Sequence, residues 1–210
     1  MRKPPKKSRK GPQRTKPVKK SSAAKTVEAF PGERLRLVFT AEQIRKRVDE
    51  LAEQVNRDFK GRTVHAIGVL ENCFLFMPDL LRHLKVPVIC HFLKIETSDG
   101  VSGNVAVREI VFTPRIDVAG KDVLLIDAIL QSGVTLDHLL HLMMGQGPSS
   151  IRTAMLVQKV DDLKVDLATD YVGFKSRGKF LVGYGMGHRE KYRNLPFVAA
   201  YGGSKKASAN

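Results

Sequence analysis

Ser132-Gly-Val-Thr135 lies between an apolar run ending in an acid, Val123-Leu-Leu-Ile-Asp127, and a helical-looking run over residues 136–144. That order reads as a buried strand, a tight turn and a helix start. The first N–H groups of a helix have no partner within it and the helix dipole is positive there, so such a turn can hold a phosphate. Gly133 lets the backbone approach an anion closely. Ser132 and Thr135 add hydroxyl donors on either side of Val134. Asp127, an acid at a strand end, can accept hydrogen bonds from ribose hydroxyls.

Alternating strands and helices would position these residues. Thr40-Ala-Glu-Gln43 is a capping box that opens a helix, and Ile44, Val48, Leu51 and Val55 then recur at helical spacing. Residues 63–70 read as a strand. Residues 74–84 read as a helix in which Pro78 is tolerable only near the start. Residues 86–95 are apolar on both faces, as inside a parallel sheet. A small, polar loop over 96–103 leads to a returning strand over 104–113, and 114–120 is a loop. Strands follow over 121–127 and 151–159, with short ones over 171–174, 179–184 and 197–201. This is an α/β pattern implying a mostly parallel, doubly wound sheet flanked by helices. Ligands bind such sheets outside the carboxyl ends of the strands, where Asp127 and Ser132 fall.

The segment around Asp127 resembles the signature of type I phosphoribosyltransferases, in particular the hypoxanthine/guanine phosphoribosyltransferases. That family ends the strand in two acids, followed by two apolar residues, an Asp, and Thr/Ser-Gly-x-Thr. Ser132, Gly133 and Thr135 match, as does Asp127 at the first acidic position. Ala128 replaces the second acid, and Gln131 stands where the family carries its catalytic Asp. Asp170-Tyr-Val-Gly-Phe174 and Lys179-Phe-Leu-Val-Gly-Tyr184 resemble the family's base-binding end. By that resemblance Lys159 reads the purine's exocyclic oxygen, Phe180 stacks on the base, Leu181 contacts the ring edge through its backbone, and Arg193 binds pyrophosphate. An ammonium donor facing a carbonyl and an aromatic face on a planar base together select a 6-oxopurine.

Other positions depart from the pattern. The family's Lys/Arg-Gly-Gly loop is Glu71-Asn72-Cys73 here, so an acid that repels pyrophosphate replaces a cation, unless Glu71 turns outward. Gly187 occupies the position of a magnesium-ligating Asp, and Thr97-Ser98 lacks the lid tyrosine. Gln131 cannot ionise, and losing a general base typically costs on the order of 10²–10⁴ in rate. The resemblance implies a type I fold with a small hood at the base-binding end, a purine 5′-monophosphate or PRPP as ligand, and assembly as a dimer or tetramer. It implies magnesium as cofactor if the chain is active. Three readings follow: a nucleotide-binding homologue with weak or lost transfer activity and a regulatory role; an active hypoxanthine/guanine phosphoribosyltransferase of purine salvage; and a nucleic-acid-associated regulator acting through its basic tail.

Of the 36 Lys and Arg, eleven lie in residues 1–26 with no acid among them; the rest of the chain carries 25 basic residues against 21 acidic ones. The basicity is therefore a property of a tail, rich in Pro, Lys and Ser, that should be disordered and separate from a domain over residues 27–210. Such a tail suits a solubilising extension or non-specific attraction to nucleic acid or an acidic partner. It lacks the apolar core of a secretory signal, and no apolar run approaches the ~20 residues needed to span a bilayer. Cys73 and Cys90 make no metal spacing, and reduced cytoplasmic thiols are the plain reading. His138 and His141 share a helix face without acidic partners for a metal, and His188 is a loop histidine beside Gly187.

Overall fold

The computed structural model describes residues 25–31, 33–97, 108–109 and 116–202. The basic tail up to residue 24, the lid position Ser98 and most of the strand expected over 104–113 lie outside the described residues.

Strands β1 (Thr26–Phe30) and β2 (Glu33–Phe39) lead into helix α1 (Ala41–Asp58). The capping box forms as read: the Thr40 hydroxyl accepts from the Gln43 N–H, and the Gln43 side chain accepts from the Thr40 N–H. The apolar stripe Ile44, Val48, Leu51 and Val55 is fully buried. Next come β3 (Val64–Leu70), a 3-10 turn over Asn72–Phe74, α2 (Phe76–Arg82) and β4 (Val88–Lys94). Pro78 is the third residue of α2, where the helix does not need its N–H. The expected single helix over 74–84 is therefore a tight turn followed by a shorter helix.

β5 (Glu96–Thr97) pairs antiparallel with β6 (Arg108–Glu109), which is the start and return of the expected hairpin excursion. β7 (Asp122–Leu130), α3 (Val134–Met144), β8 (Ser150–Lys159), β9 (Tyr171–Ser176), β10 (Leu181–Val182) and β11 (Val198–Tyr201) complete the order.

β4-β3-β7-β8-β9 form one five-stranded, wholly parallel sheet. The period of two decides its two cores. Leu124, Ile126 and Ala128 of β7 pack with α1 and α2, whereas Val123 and Leu125 pack with Leu136, Leu139 and Met143 of α3. Both faces of β7 are covered, hence its unbroken apolar sequence. A second, antiparallel sheet, β1-β2-β11-β10, packs Leu181, Val198 and Ala200 against the first core, with Phe39 stacked on Phe174 at 4.1 Å. This is the arrangement that the resemblance implies, a parallel sheet flanked by helices with a second, smaller sheet beside it.

Other elements differ from the sequence reading. β1 and most of β2 had no reading as strands, because their apolar residues alternate with charges and β11, which pairs with β2, is distant in sequence. The strand expected over 179–184 is paired only at Leu181–Val182, since Gly183, Tyr184 and Gly185 take left-handed conformations that turn the chain. β7 runs to Leu130 instead of ending at Asp127, because β8 keeps pairing with it through Leu130↔Gln158.

Candidate functional site

A cleft of about 300 Å³ opens beyond the sheet's carboxyl edge; Asn72, Asp127, Gln131, Ser132, Gly133 and Thr135 border it. Gly133 is the N-cap of α3, with φ of +80° and no side chain to cap the helix. A Cβ there would approach the Val165 side chain to 2.6 Å, so both backbone and space call for glycine. The Ser132 carbonyl accepts from the Lys164 N–H at 2.9 Å, which fixes the turn against the segment after β8. Val134 and Thr135 are the first two residues of α3, directly after the Gly133 cap.

Asp127 is the first β7 residue beyond the pairing with β3, which ends at Gly68↔Ile126. Loss of bulk water around it raises its carboxyl from 3.8 to about 7, against a weaker opposing pull from the Ile129 and Ala128 N–H groups. Ala128 points the other way, into the core with α1 and α2, so an acid there would be buried among apolar side chains. Cys73 is also buried; burial, then the charge of Asp127, push its thiol up to about 12, which makes it a packing residue.

Lys159 ends β8 with its ammonium 2.5 Å from Asp162. Asp162 lies below the usual carboxylate range, first through the hydrogen bond from Lys159 and then, after a partly opposing burial, through the Lys159 charge and a hydrogen bond from Gln131. Lys159, Asp162 and Gln131 are therefore one connected group. Sequence reading missed Asp162; a lysine with an acid three residues on in a turn was the available signal.

Phe180 is 47% exposed, so it is not a core aromatic. His188 stands edge-on to it at 5.1 Å and stacks obliquely on Tyr201 at 4.8 Å, which makes His188 an aromatic neighbour of Phe180. Leu181 is buried and pairs with Ala200.

Arg193 settles which way Glu71 turns. Its Nη2 is 2.8 Å from Glu71 Oε2, and its Nη1 donates to Asn72 Oδ1 and to the Gly185 carbonyl at 2.9 and 2.8 Å. Glu71 Oε1 is 3.6 Å from Lys94 Nζ. Glu71 thus faces the arginine. A Cβ at Gly187 would lie 2.8 Å from Nε and Cζ of Arg193, so the guanidinium fills the space beside the position where the resemblance implies a metal-ligating acid. Among the described residues no three His, Cys, Asp or Glu side chains group as a metal site. With a guanidinium against residue 187, the residues present do not fit a protein-held magnesium ion.

The family model described as phosphoribosyl transferase domain matches residues 38–189. The hypoxanthine-guanine phosphoribosyltransferase of Dictyostelium discoideum is 36% identical over 166 residues, 77% of this chain and 92% of its own length. That of Mycobacterium tuberculosis is 32% identical over 191 residues, 86% and 95% of the two chains. Among solved structures, a Bacillus anthracis hypoxanthine-guanine phosphoribosyltransferase superposes with a TM-score of 0.71 at 35% identity, covering 78% of this chain and 95% of that one. A Trypanosoma cruzi hypoxanthine phosphoribosyl transferase, studied for the role of its C-terminal region in oligomeric state and enzymatic activity, gives 0.73 at 28%, covering 79% and 90%. The chain belongs to the phosphoribosyltransferase family. Within it, the chain is of the type I, hypoxanthine/guanine phosphoribosyltransferase-like kind.

The raised Asp127 carboxyl has a measurable sign. Below about pH 4 both folded and unfolded chains hold this proton; between about 4 and 7 only the folded chain does. Its contribution to stability is therefore full at low pH and lost as pH rises to about 7. Asp127→Asn should flatten that fall and be more stable than the parent at pH 8, by about 1–2 kcal/mol after solvent screening in the cleft. Urea melts at pH 5 and pH 8 check this, and identical pH dependence in the two proteins would contradict it.

Proposed function

We propose that this domain binds a purine 5′-monophosphate, with its phosphate at the Ser132–Thr135 corner and its ribose hydroxyls on Asp127, and that phosphoribosyl transfer is slow or lost. The observation that carries the reading is a contrast between the cleft and the ionic group joined to it through Asn72. The phosphate end keeps an uncapped helix start behind a left-handed glycine. The reactive end has an amide at Gln131, a glycine at 187 and a carboxylate on Arg193. Lys159 and Phe180 supply a donor and an aromatic face for a 6-oxopurine, and Leu181 supplies backbone at the ring edge. A protein of this kind suits a nucleotide sensor or a regulator of an active relative. A cytoplasmic place fits its free cysteines, and among the described residues no helix is long and apolar enough to cross a membrane.

An active hypoxanthine/guanine phosphoribosyltransferase is the second reading. It would use Asp162, the carboxylate hydrogen-bonded to Gln131, as proton acceptor, and Lys159 would first have to leave Asp162, because that pairing holds the carboxylate below its usual range. Magnesium would then arrive with PRPP.

Assembly is part of the same proposal. The edge strand β4 and α2 present a concave apolar face of about 700 Å³ lined by Leu70, Phe74, Met77, Leu81 and Phe92 among others, with Phe92 46% exposed. A face of that character marks an interaction surface, and a second copy of the chain is the occupant we propose.

Three measurements decide these points. IMP or GMP should raise the melting temperature, because ligand at ten times its Kd adds about 1.4 kcal/mol, or roughly 3–6 °C for a domain of this size. No shift at millimolar nucleotide counts against the reading, and rapid nucleotide formation from PRPP, magnesium and hypoxanthine or guanine selects the active enzyme. Gln131→Asp alone should raise turnover by less than about tenfold, since the new carboxylate faces Asp162 and Arg193 remains tied to Glu71; full activity would show the other departures to be harmless. Sedimentation should find a dimer or larger that Phe92→Glu dissociates, and a monomeric parent would refute the assembly.

A further inference from the structure

Glu71, Asn72, Lys94, Gly187 and Arg193 come from the end of β3, the end of β4 and the segment before β11, yet they form one closed ionic group. Each contributes something the others need. Arg193 spends Nη2 on Glu71 and Nη1 on Asn72 and the Gly185 carbonyl. Lys94 stands at the second Glu71 oxygen. Gly187 leaves the space in which the guanidinium lies. The backbones are in register too: a Cβ on Gly185, whose φ is +95°, would fall 2.0 Å from the Asn72 carbonyl oxygen. Asn72 also borders the cleft that holds Asp127 and the Ser132–Thr135 corner, so the ionic group touches that cleft through Asn72.

A carboxylate gripped by an arginine and a lysine has the arrangement of a bound anion. Here the anion belongs to the chain. The Glu71 side chain is 52% exposed, so this is not a sealed structural pair that a ligand could never meet. Two cations beside a phosphate cleft would attract a second anionic group. With Glu71 between them, one of the two positive charges is cancelled and the guanidinium's cleft-side donors are taken.

We infer that Glu71 is an internal counter-ion that fills a second anion subsite made by Arg193 and Lys94, and so sets the ligand preference of the cleft. Ligands with one phosphate, seated at Ser132–Thr135, are accepted. Ligands with a further anionic group at the Arg193 end, such as a diphosphate on the sugar, must displace Glu71 and bind weakly. The inference deepens the nucleotide reading above, and rests on it for the identity of the first subsite. It makes Glu71 a specificity-determining residue in place of a damaged one.

The test is calorimetric titration of the full chain with inorganic pyrophosphate and, separately, PRPP at fixed ionic strength. The parent is compared with Glu71→Gln and with Glu71→Gln combined with Arg193→Gln. Glu71→Gln keeps the size and removes the charge; circular dichroism and a ligand-free melt verify its fold, and Glu71→Ala serves as a second variant. The expected result is that either single variant tightens pyrophosphate and PRPP by about tenfold or more, and that the double variant loses the gain. The inference is overturned if both single variants, folded as the parent is, stay within twofold of it. It is equally overturned if the double variant keeps the gain, because the effect would then be general charge and not the arginine. GMP titrated into the parent tests the nucleotide reading separately. Failure of GMP to bind would remove that reading and leave the pyrophosphate comparison decisive for the subsite.

Discussion

β7 is paired with β3 only as far as Ile126, but with β8 as far as Leu130. That difference in length creates the site. Beyond Ile126 one side of β7 loses its neighbour, so Asp127 opens onto a cleft, while the other side stays held and carries Gln131 and Ser132 to a fixed place. The turn that follows has to reverse the chain at once, and only a glycine at 133 meets both the left-handed backbone and the nearby Val165 side chain. The helix start, the acid and the hydroxyls are brought together by the sheet, which in turn is fixed by burial on both faces. Depositing function at the carboxyl edge is the usual economy of a parallel sheet, since loops there are free to vary while the strands are not.

The cleft and the ionic group beside it differ in kind. At the helix start the parts are backbone groups and a glycine, which depend on conformation more than on side-chain identity. Around Arg193 they are side chains. An acid at 71, an amide at 72 and a glycine at 187 are each unremarkable alone; around Arg193 they complete one another. The pair Lys159 and Asp162 follows the same logic on the base side, where a buried ammonium has gained a carboxylate that also touches Gln131. A buried ammonium without such a partner would be costly, and Asp162 supplies it.

Local chemistry made much of this readable in advance. The capping box at Thr40 and the stripe from Ile44 to Val55 are set by neighbours three and four residues apart, so the helix and its buried face could be placed from sequence. The Asp127 to Thr135 run was legible for the same reason. β1, most of β2 and the true length of β7 were not, because pairing partners such as Phe39↔Val198 and Leu130↔Gln158 lie far apart along the chain. The second sheet joins the local β1–β2 hairpin to β11 by such distant pairing, and the charges in β1 and β2 mask the alternation.

By itself the sequence determined the α/β class, the family and the strand, glycine turn and helix start around Asp127 to Thr135, since each rests on residue order over short spans. It also determined that residues 71, 128, 131 and 187 lack the groups their relatives' pattern would supply. Only the tertiary structure decided what those replacements do. Ala128 faces the core, Asp162 joins Lys159 to Gln131, and Glu71 turns toward Arg193. The physical reason is that a charge acts on whatever lies within a few ångströms, and residues 71 and 193 become neighbours only once the sheet has closed.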